Sequence, residues 1–219
     1  MEAVVLAGGL GTRLRSAVND VPKPMAPVQG RPFLERLLDY WIGQGVERAV
    51  LAVGYMHETI RKHFGDKYRD CAITYSVEQH PLGTGGALVQ ALSLVQAKTF
   101  LVLNGDTYFA VPLPTLTEFH RKHRAEVSLS LFRSDNPRYT GISLAADGRV
   151  TNLSGQGAAN GGVFMFEGSA ATRLPAGVSS LEKDLLPRLM SGLYGCIFDA
   201  PFVDIGLPED WRAAANIIT

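Results

Sequence analysis

The sequence is poor in cysteine and tryptophan, with two of each, and it has no excess charge of either sign. Cys71 and Cys196 lack the spacing of a metal site, so we expect two reduced, buried thiols. Basic and acidic residues number 21 each, so the chain has no net charge that would attract it to nucleic acid or to a membrane surface. No apolar run approaches membrane-spanning length, and residues 1–3 lack the charged segment and cleavage pattern of a secretory leader. These absences predict a cytoplasmic protein that binds neither nucleic acid nor membrane.

The apolar content, 46% of 219 residues, is sufficient for a sizeable core and predicts a single domain over residues 1–219. Short apolar runs such as 49–53 and 99–103 alternate with helical stripes such as 33–41 and 87–95. This alternation predicts an α/β fold with a doubly wound, mostly parallel, Rossmann-like sheet, whose ligands bind at the carboxyl ends of the strands.

The pattern changes from residue 126 onward. Residues 127–131 alternate between apolar and polar side chains, and Ala146-Asp147-Gly148 is typical of a hairpin turn. We therefore predict a small antiparallel region, followed by a helix over 181–189 that a serine at 179 or 180 caps and Pro187 shortens.

A glycine-rich loop, LAGGLGTRL over residues 6–14, follows the first apolar strand. Bare backbone N–H groups in such a loop bind phosphate oxygens without steric cost. Arg13 adds a fork of donors suited to phosphate, and Lys23, between two prolines, adds a point charge. A P-loop would need Gly-Lys-Ser/Thr, and a dinucleotide fingerprint a third glycine at Leu14, so both are disfavoured. A simple turn between strand and helix would require neither cation.

Two aspartates occupy positions typical of a metal site. Asp106 follows the apolar strand 99–103, and Asp204 lies in an otherwise apolar run. A carboxylate there is costly to bury without a cation, although an aspartate after glycine is also a common turn former. Two strand-end carboxylates beside a phosphate site predict Mg²⁺.

The LAGGLGTRL loop and the segment VPKPMAP over 21–27 resemble the signature of the sugar-1-phosphate nucleotidyltransferases. Within that family the chain is most similar to the D-glycero-α-D-manno-heptose 1-phosphate guanylyltransferases, which share PLGTGGA (81–87) and SLEKD (180–184) in similar form. The resemblance implies a glycosyltransferase-A-like fold. It also implies a reaction in which GTP and a sugar 1-phosphate give a nucleotide sugar and pyrophosphate.

The resemblance also assigns roles to residues. It makes Arg13 and Lys23 catalytic, and Asp106 and Asp204 the Mg²⁺ ligands. It implies nucleotide contacts from the first loop and from a second loop in which Gln79 offers a donor and an acceptor to the base: Leu6, Ala7, Gly8, Gly9, Gly11, Thr12, Gln79, Gly83, Thr84 and Gly85. It implies sugar-phosphate contacts from Asn104, Gly141, Asn160, Glu182 and Lys183.

One departure from the family concerns the sugar phosphate. Most relatives carry a Glu-Lys pair whose lysine contacts that phosphate, where this chain has SGQG over 154–157; Thr140 also replaces a common tyrosine. Either Lys183 substitutes for the lysine, or activity is weakened, or the sugar differs. Mannose or another hexose 1-phosphate, with the same or another nucleotide, is therefore an alternative substrate, and a regulator that binds nucleotide sugars without turnover is an alternative function. A homo-oligomer is left open.

His120 and His123 lie among Arg121, Lys122 and Arg124. Spacing of three residues on a helix permits a shared metal, but the basic neighbours would repel a cation. We expect a solvated helix face.

Overall fold

The computed structural model describes residues 1–14, 17–18, 20–139, 141–155 and 157–218. Its strands are β1 (Glu2–Leu6), β2 (Pro27–Val28), β3 (Arg31–Pro32), β4 (Arg48–Val53), β5 (Lys67–Tyr68), β6 (Cys71–Val77), β7 (Thr99–Asn104), β8 (Thr107–Phe109), β9 (Val127–Phe132), β10 (Gly141–Leu144), β11 (Val150–Gly155), β12 (Ala158–Glu167), β13 (Leu193–Ile197) and β14 (Phe202–Asp204). Its α-helices are α1 (Phe33–Gly43), α2 (His57–Phe64), α3 (Gly83–Ala91), α4 (Leu113–His123), α5 (Gly168–Ala171) and α6 (Pro208–Ile217).

Four parallel strands form the centre of a ten-stranded sheet, in the order β7, β1, β4, β6. Strand β12 continues the sheet antiparallel to β7, and β9 and β10 both pair with β12 in antiparallel fashion. The predicted α/β fold, with a parallel centre and an antiparallel region, is confirmed. The predicted hairpin is also present, since β10 and β11 pair antiparallel across the turn at 145–149.

Alternate residues of β1 pack on opposite faces of the sheet, because side chains of a strand alternate in direction. Val5 belongs to an apolar cluster with Leu37 and Trp41 of α1. Val4 belongs to a second cluster with Leu88 of α3. The sheet is therefore covered on both faces, and its strand ends remain available for polar side chains.

Two local predictions were wrong. The segment predicted as a helix over 181–189 is a π-helical turn, Leu181–Leu185, followed by a 3-10 turn, Leu186–Gly192, that contains Pro187. Proline lacks the N–H of a regular helix, which explains the change of winding. His120 is buried, with 5% of its surface exposed, rather than on a solvated face. No helix among the described residues is long and apolar enough to cross a membrane.

Candidate active site

Lys23, Asp106 and Asp204, which we call the Lys23 cluster, converge at the carboxyl end of the central strands. The Lys23 Nζ lies 2.5 Å from Asp106 Oδ2 and 3.7 Å from Asp204 Oδ1. Asp106 lies just beyond the end of β7, after Gly105, and β14 pairs with β8 so that Asp204 lies opposite Thr107. This pairing brings together two aspartates that are 98 positions apart in the chain.

The electrostatics of the Lys23 cluster suit a cation. Burial, followed by the negative charge of Asp106, raises the pKa of Asp204, while Lys23 acts in the opposite direction. Two neighbouring carboxylates with a single ammonium between them are a donor set that a divalent cation also fits. No group of three or more His, Cys, Asp or Glu side chains in the described ranges could hold a metal by itself. Phosphate or water oxygens would therefore complete the coordination.

The glycine-rich loop forms the wall of a cavity of about 260 Å³ beside Lys23 and Asp106. Gly11 has a φ of +60°, and a Cβ there would lie 2.7 Å from Lys23 Cβ, so glycine is required for Lys23 to reach the aspartates. Arg13 is exposed, and its Nη2 lies 3.4 Å from the position that a Cβ on Gly206 would occupy. The loop thus brings Arg13 beside the turn that follows Asp204.

Most of the residues predicted to bind nucleotide line this first cavity, namely Leu6, Ala7, Gly8, Gly9, Gly83 and Thr84. Gln79 lines an adjoining cavity of about 240 Å³, which shares the wall residues Gly8 and Glu78 with the first. Gly11 and Thr12, which were also predicted to bind nucleotide, do not line the first cavity, and Thr12 is exposed. Gly85 is buried, and its N–H donates to the Ser179 carbonyl, 2.9 Å away.

Glu78 is a site residue that the sequence prediction missed. It directly follows β6 and lies in the wall between the two cavities. Its Oε2 accepts a hydrogen bond from the Leu82 N–H at 2.9 Å, and its Oε1 occupies the space that a Cβ on Gly8 would need. Burial raises the pKa of Glu78, an effect that the Leu82 hydrogen bond partly opposes. Its position after a strand, like that of Asp106, was the signal in the sequence.

Three of the five residues predicted to bind the sugar phosphate meet in a third cavity, of about 570 Å³. Asn160, Glu182 and Lys183 all line it. Gly141 precedes the lining residue Ile142 on β10. Asn104 lies apart from them in the first cavity, where its Oδ1 is buried without a hydrogen-bond partner among the described residues.

The part of the chain that departs from the family also reaches the third cavity, since Ser154 lines it. Thr140 and Gln156 lie outside the described residues. Arg138, which the sequence prediction did not include, supplies a second cation to this cavity beside Lys183. Its Nη1 donates to Asp210 Oδ2 at 2.5 Å, whereas Lys183 forms no ion pair with any residue in the described ranges.

A glycine loop, two cations and two carboxylates at the strand ends of an α/β sheet define a site for phosphate-transfer chemistry on a nucleotide. The sequence profile of the nucleotidyl transferase family matches residues 2–219, so the chain belongs to that family and is a nucleotidyltransferase. The resemblance inferred from the loop motif is confirmed.

Two related sequences and one solved structure are similar to this chain over nearly its whole length. The chain is 39% identical to the D-glycero-alpha-D-manno-heptose 1-phosphate guanylyltransferase of Aneurinibacillus thermoaerophilus, over 98% of this chain and 96% of that protein. It is 35% identical to a mannose-1-phosphate guanylyltransferase of Mycobacterium tuberculosis, over 100% of this chain and 65% of that protein. The crystal structure of HddC from Yersinia pseudotuberculosis, complexed with GMP-PN, matches with a TM-score of 0.88 and 33% identity, covering 98% of each chain.

Proposed function

We propose that this protein transfers the GMP moiety of GTP to D-glycero-α-D-manno-heptose 1-phosphate. The reaction releases pyrophosphate and forms a nucleotide sugar for surface polysaccharide. The observation that carries the proposal is the Lys23 cluster, which lies at the edge of a glycine-lined cavity. The heptose-specific relative from A. thermoaerophilus supports the choice of sugar and base.

The chemistry requires no nucleophile from the enzyme. An oxygen of the sugar phosphate attacks the α-phosphorus of GTP, and the bond to the β-phosphate oxygen breaks as pyrophosphate leaves. The Lys23 ammonium neutralises charge on the α-phosphate and the incoming phosphate, and Arg13 binds the departing pyrophosphate. Mg²⁺ held by Asp106 and Asp204 would further reduce the repulsion between the reacting anions.

Glu78 supports guanine as the base. The Watson–Crick edge of guanine carries two adjacent donors, the N1–H and the N2 amino group. An ionised carboxylate accepts hydrogen bonds at both of its oxygens and therefore matches that pair. Adenine, cytosine and uracil each place an acceptor next to their donor on this edge. The position of Glu78 between the two cavities beside the glycine loop suits contact with the base.

The third cavity supports a polyhydroxylated sugar as acceptor. Asn160 and Glu182 offer hydrogen-bonding groups to hydroxyls, and Lys183, whose ammonium has no ion-pair partner among the described residues, offers its charge to the sugar phosphate. In this assignment Lys183, with Arg138 nearby, replaces the lysine that the 154–157 segment lacks. Mannose 1-phosphate is the second candidate, which the relative from M. tuberculosis favours.

We also infer a cytoplasmic location. GTP is supplied there, and Cys71 and Cys196 are free thiols, as expected in a reducing compartment.

Pyrophosphate release tests the proposal. Wild-type protein with Mg²⁺ and the heptose 1-phosphate is assayed against GTP, ATP, UTP, CTP and dTTP, and we expect release with GTP. The same panel with mannose 1-phosphate and glucose 1-phosphate distinguishes the sugars. Binding of GDP-heptose without pyrophosphate release from any mixture would indicate a regulator and overturn the enzymatic proposal.

A further inference from the structure

Hydrogen bonds of the Thr84 side chain link the wall of the first cavity, proposed for the nucleotide, to the wall of the third cavity, proposed for the sugar. Thr84 lines the first cavity, and its Oγ1 accepts a hydrogen bond from the Leu181 N–H at 2.8 Å. The same hydroxyl donates to Glu182 Oε2 at 3.3 Å, and Glu182 lines the third cavity. A hydroxyl has one donor, so Thr84 has none left for a nucleotide once it is bonded to Glu182.

The backbone around Thr84 is attached to the same segment. The Ser179 carbonyl accepts from the Gly85 N–H at 2.9 Å and the Gly86 N–H at 3.3 Å, and the Ser179 N–H donates to the Leu82 carbonyl at 2.9 Å. The Gly85 and Gly86 N–H groups belong to the first turn of α3, where a helix leaves N–H groups without a partner inside the helix. The segment before Glu182, rather than a ligand anion, satisfies them.

Glu182 is held on one side only. Its Oε2 accepts from both the Thr84 and the Ser180 hydroxyls, each at 3.3 Å, whereas no described residue donates to its Oε1. The Ser180 Oγ also accepts from the Lys183 N–H at 3.2 Å, at the start of the π-helical turn. Thus Oε2 of Glu182 is hydrogen-bonded to Thr84 in the wall of the first cavity, and Oε1 is available to a sugar hydroxyl.

From these contacts we propose that Thr84 is a positioning residue for the sugar 1-phosphate rather than a nucleotide contact. It orients Glu182 and the turn that carries Lys183, and it couples the two cavities, so that nucleotide seated against α3 strengthens sugar-phosphate binding. Such coupling is reciprocal, since each ligand changes the affinity of the other by the same factor. This inference rests on the proposed function, because it takes the third cavity as the sugar site.

The test is the variant Thr84→Val, which keeps the shape of the side chain and removes its hydroxyl. We expect the KM for the sugar 1-phosphate to rise about fivefold, in the range for the loss of one side-chain hydrogen bond that positions a binding residue. The Kd for a non-hydrolysable GTP analogue, measured alone by calorimetry, should stay within about twofold. The factor by which that analogue tightens sugar-phosphate binding should also fall towards one.

Two control variants separate positioning from general damage. Thr84→Ser retains the hydroxyl and should restore the sugar-phosphate KM. Thr99→Val removes another threonine–glutamate hydrogen bond, from Thr99 Oγ1 to Glu167 Oε1 at 2.7 Å, and should leave both substrate constants unchanged. Weaker binding of the GTP analogue to Thr84→Val, or an unchanged sugar-phosphate KM, would overturn the inference. Lack of turnover by wild-type protein with every sugar phosphate would instead refute the proposed function.

Discussion

Two clusters of partly or fully buried polar side chains lie on the same sheet, and they differ in what they face. The Lys23 cluster lies at the carboxyl ends of the central strands, beside the cavity lined by the glycine loop. The second, which we call the His120 cluster, consists of His120, Ser128, Glu167 and Thr99. His120 Nδ1 lies 2.8 Å from Ser128 Oγ, and its Nε2 lies 3.2 Å from Glu167 Oε1.

Burial and shifted pKa values occur in both clusters, so neither property identifies the functional one. Burial raises the pKa of Asp204 and lowers the pKa of His120, in each case disfavouring the charged form. None of the four His120-cluster residues lines any of the three cavities described above. Its hydrogen bonds instead join α4 to β9 and to the end of β12. Contact with a cavity, rather than an altered pKa, therefore distinguishes the cluster proposed to be reactive from the one that joins structural elements.

The largest effect should come from Lys23→Met, which removes the cation but keeps much of the side-chain volume. We expect kcat to fall by about 10²- to 10³-fold, because a preorganised charge on the reacting phosphates is lost. The measurement is pyrophosphate release at saturating GTP and sugar phosphate, with thermal unfolding as a check that the fold is intact. Turnover within about threefold of wild type would contradict the role of Lys23.

The second-largest effect should come from Glu78→Gln. Glutamine replaces one acceptor oxygen with a donor, which faces one of the two guanine donors. We expect the KM for GTP to rise about 30-fold, in the range for loss of a charged hydrogen bond. An equal change with an inosine triphosphate substrate, which lacks the N2 amino group, would argue that Glu78 supports the loop without reading the base.

The two clusters also differ in how far the sequence predicted them. Lys23, Asp106 and Asp204 were predicted because strand ends of a parallel sheet meet at one edge, and the loop motif marks that edge. His120 was expected in solvent because its neighbours are basic. However, Leu113, Leu116 and His120 follow the spacing i, i+3, i+7 of a buried helix face, which was the available signal.

Other features of the site depend on contacts between residues that are distant in sequence. That Glu78 meets Gly8 follows from the order β1, β4, β6, which no local pattern specifies. The attachment of Thr84 to Leu181 and Glu182 joins segments almost a hundred residues apart. The sequence motifs predicted both segments as parts of the site, but not that they bind each other.

A smaller effect, on stability rather than rate, should come from His120→Gln. The glutamine amide can take the place of the imidazole Nε2 beside Glu167 but has no polar atom at the position of Nδ1, so the hydrogen bond to Ser128 should be lost, and with it about 1 kcal/mol of unfolding free energy. Denaturant unfolding measures this, and kcat/KM should stay within about twofold of wild type. A tenfold loss of kcat/KM with unchanged stability would show that the His120 cluster belongs to the active site.

The smallest effect should be the pH dependence of that same stability. Burial lowers the pKa of His120 in the folded protein, whereas the unfolded chain has a value of about 6.5. The unfolded state therefore binds the proton more readily, and acidification favours unfolding. The contribution of neutral His120 is fully present above about pH 6.5 and is lost as pH falls towards the lower folded pKa. Its slope cannot exceed about 1.4 kcal/mol per pH unit, since one proton is involved.

The matched comparison is wild type against His120→Gln, by denaturant unfolding between pH 7.5 and pH 5, a range of about 2.5 units that brackets the unfolded histidine pKa. The other four histidines and the carboxylates of the Lys23 cluster are the same in both proteins, so the difference between the two curves isolates His120. We expect the wild-type advantage to shrink as the pH falls, because only wild type must exclude a proton from this site on folding. A difference that grows on acidification would mean that Glu167 outweighs burial and holds His120 charged, and the His120 cluster would then be a buried ion pair rather than a neutral network.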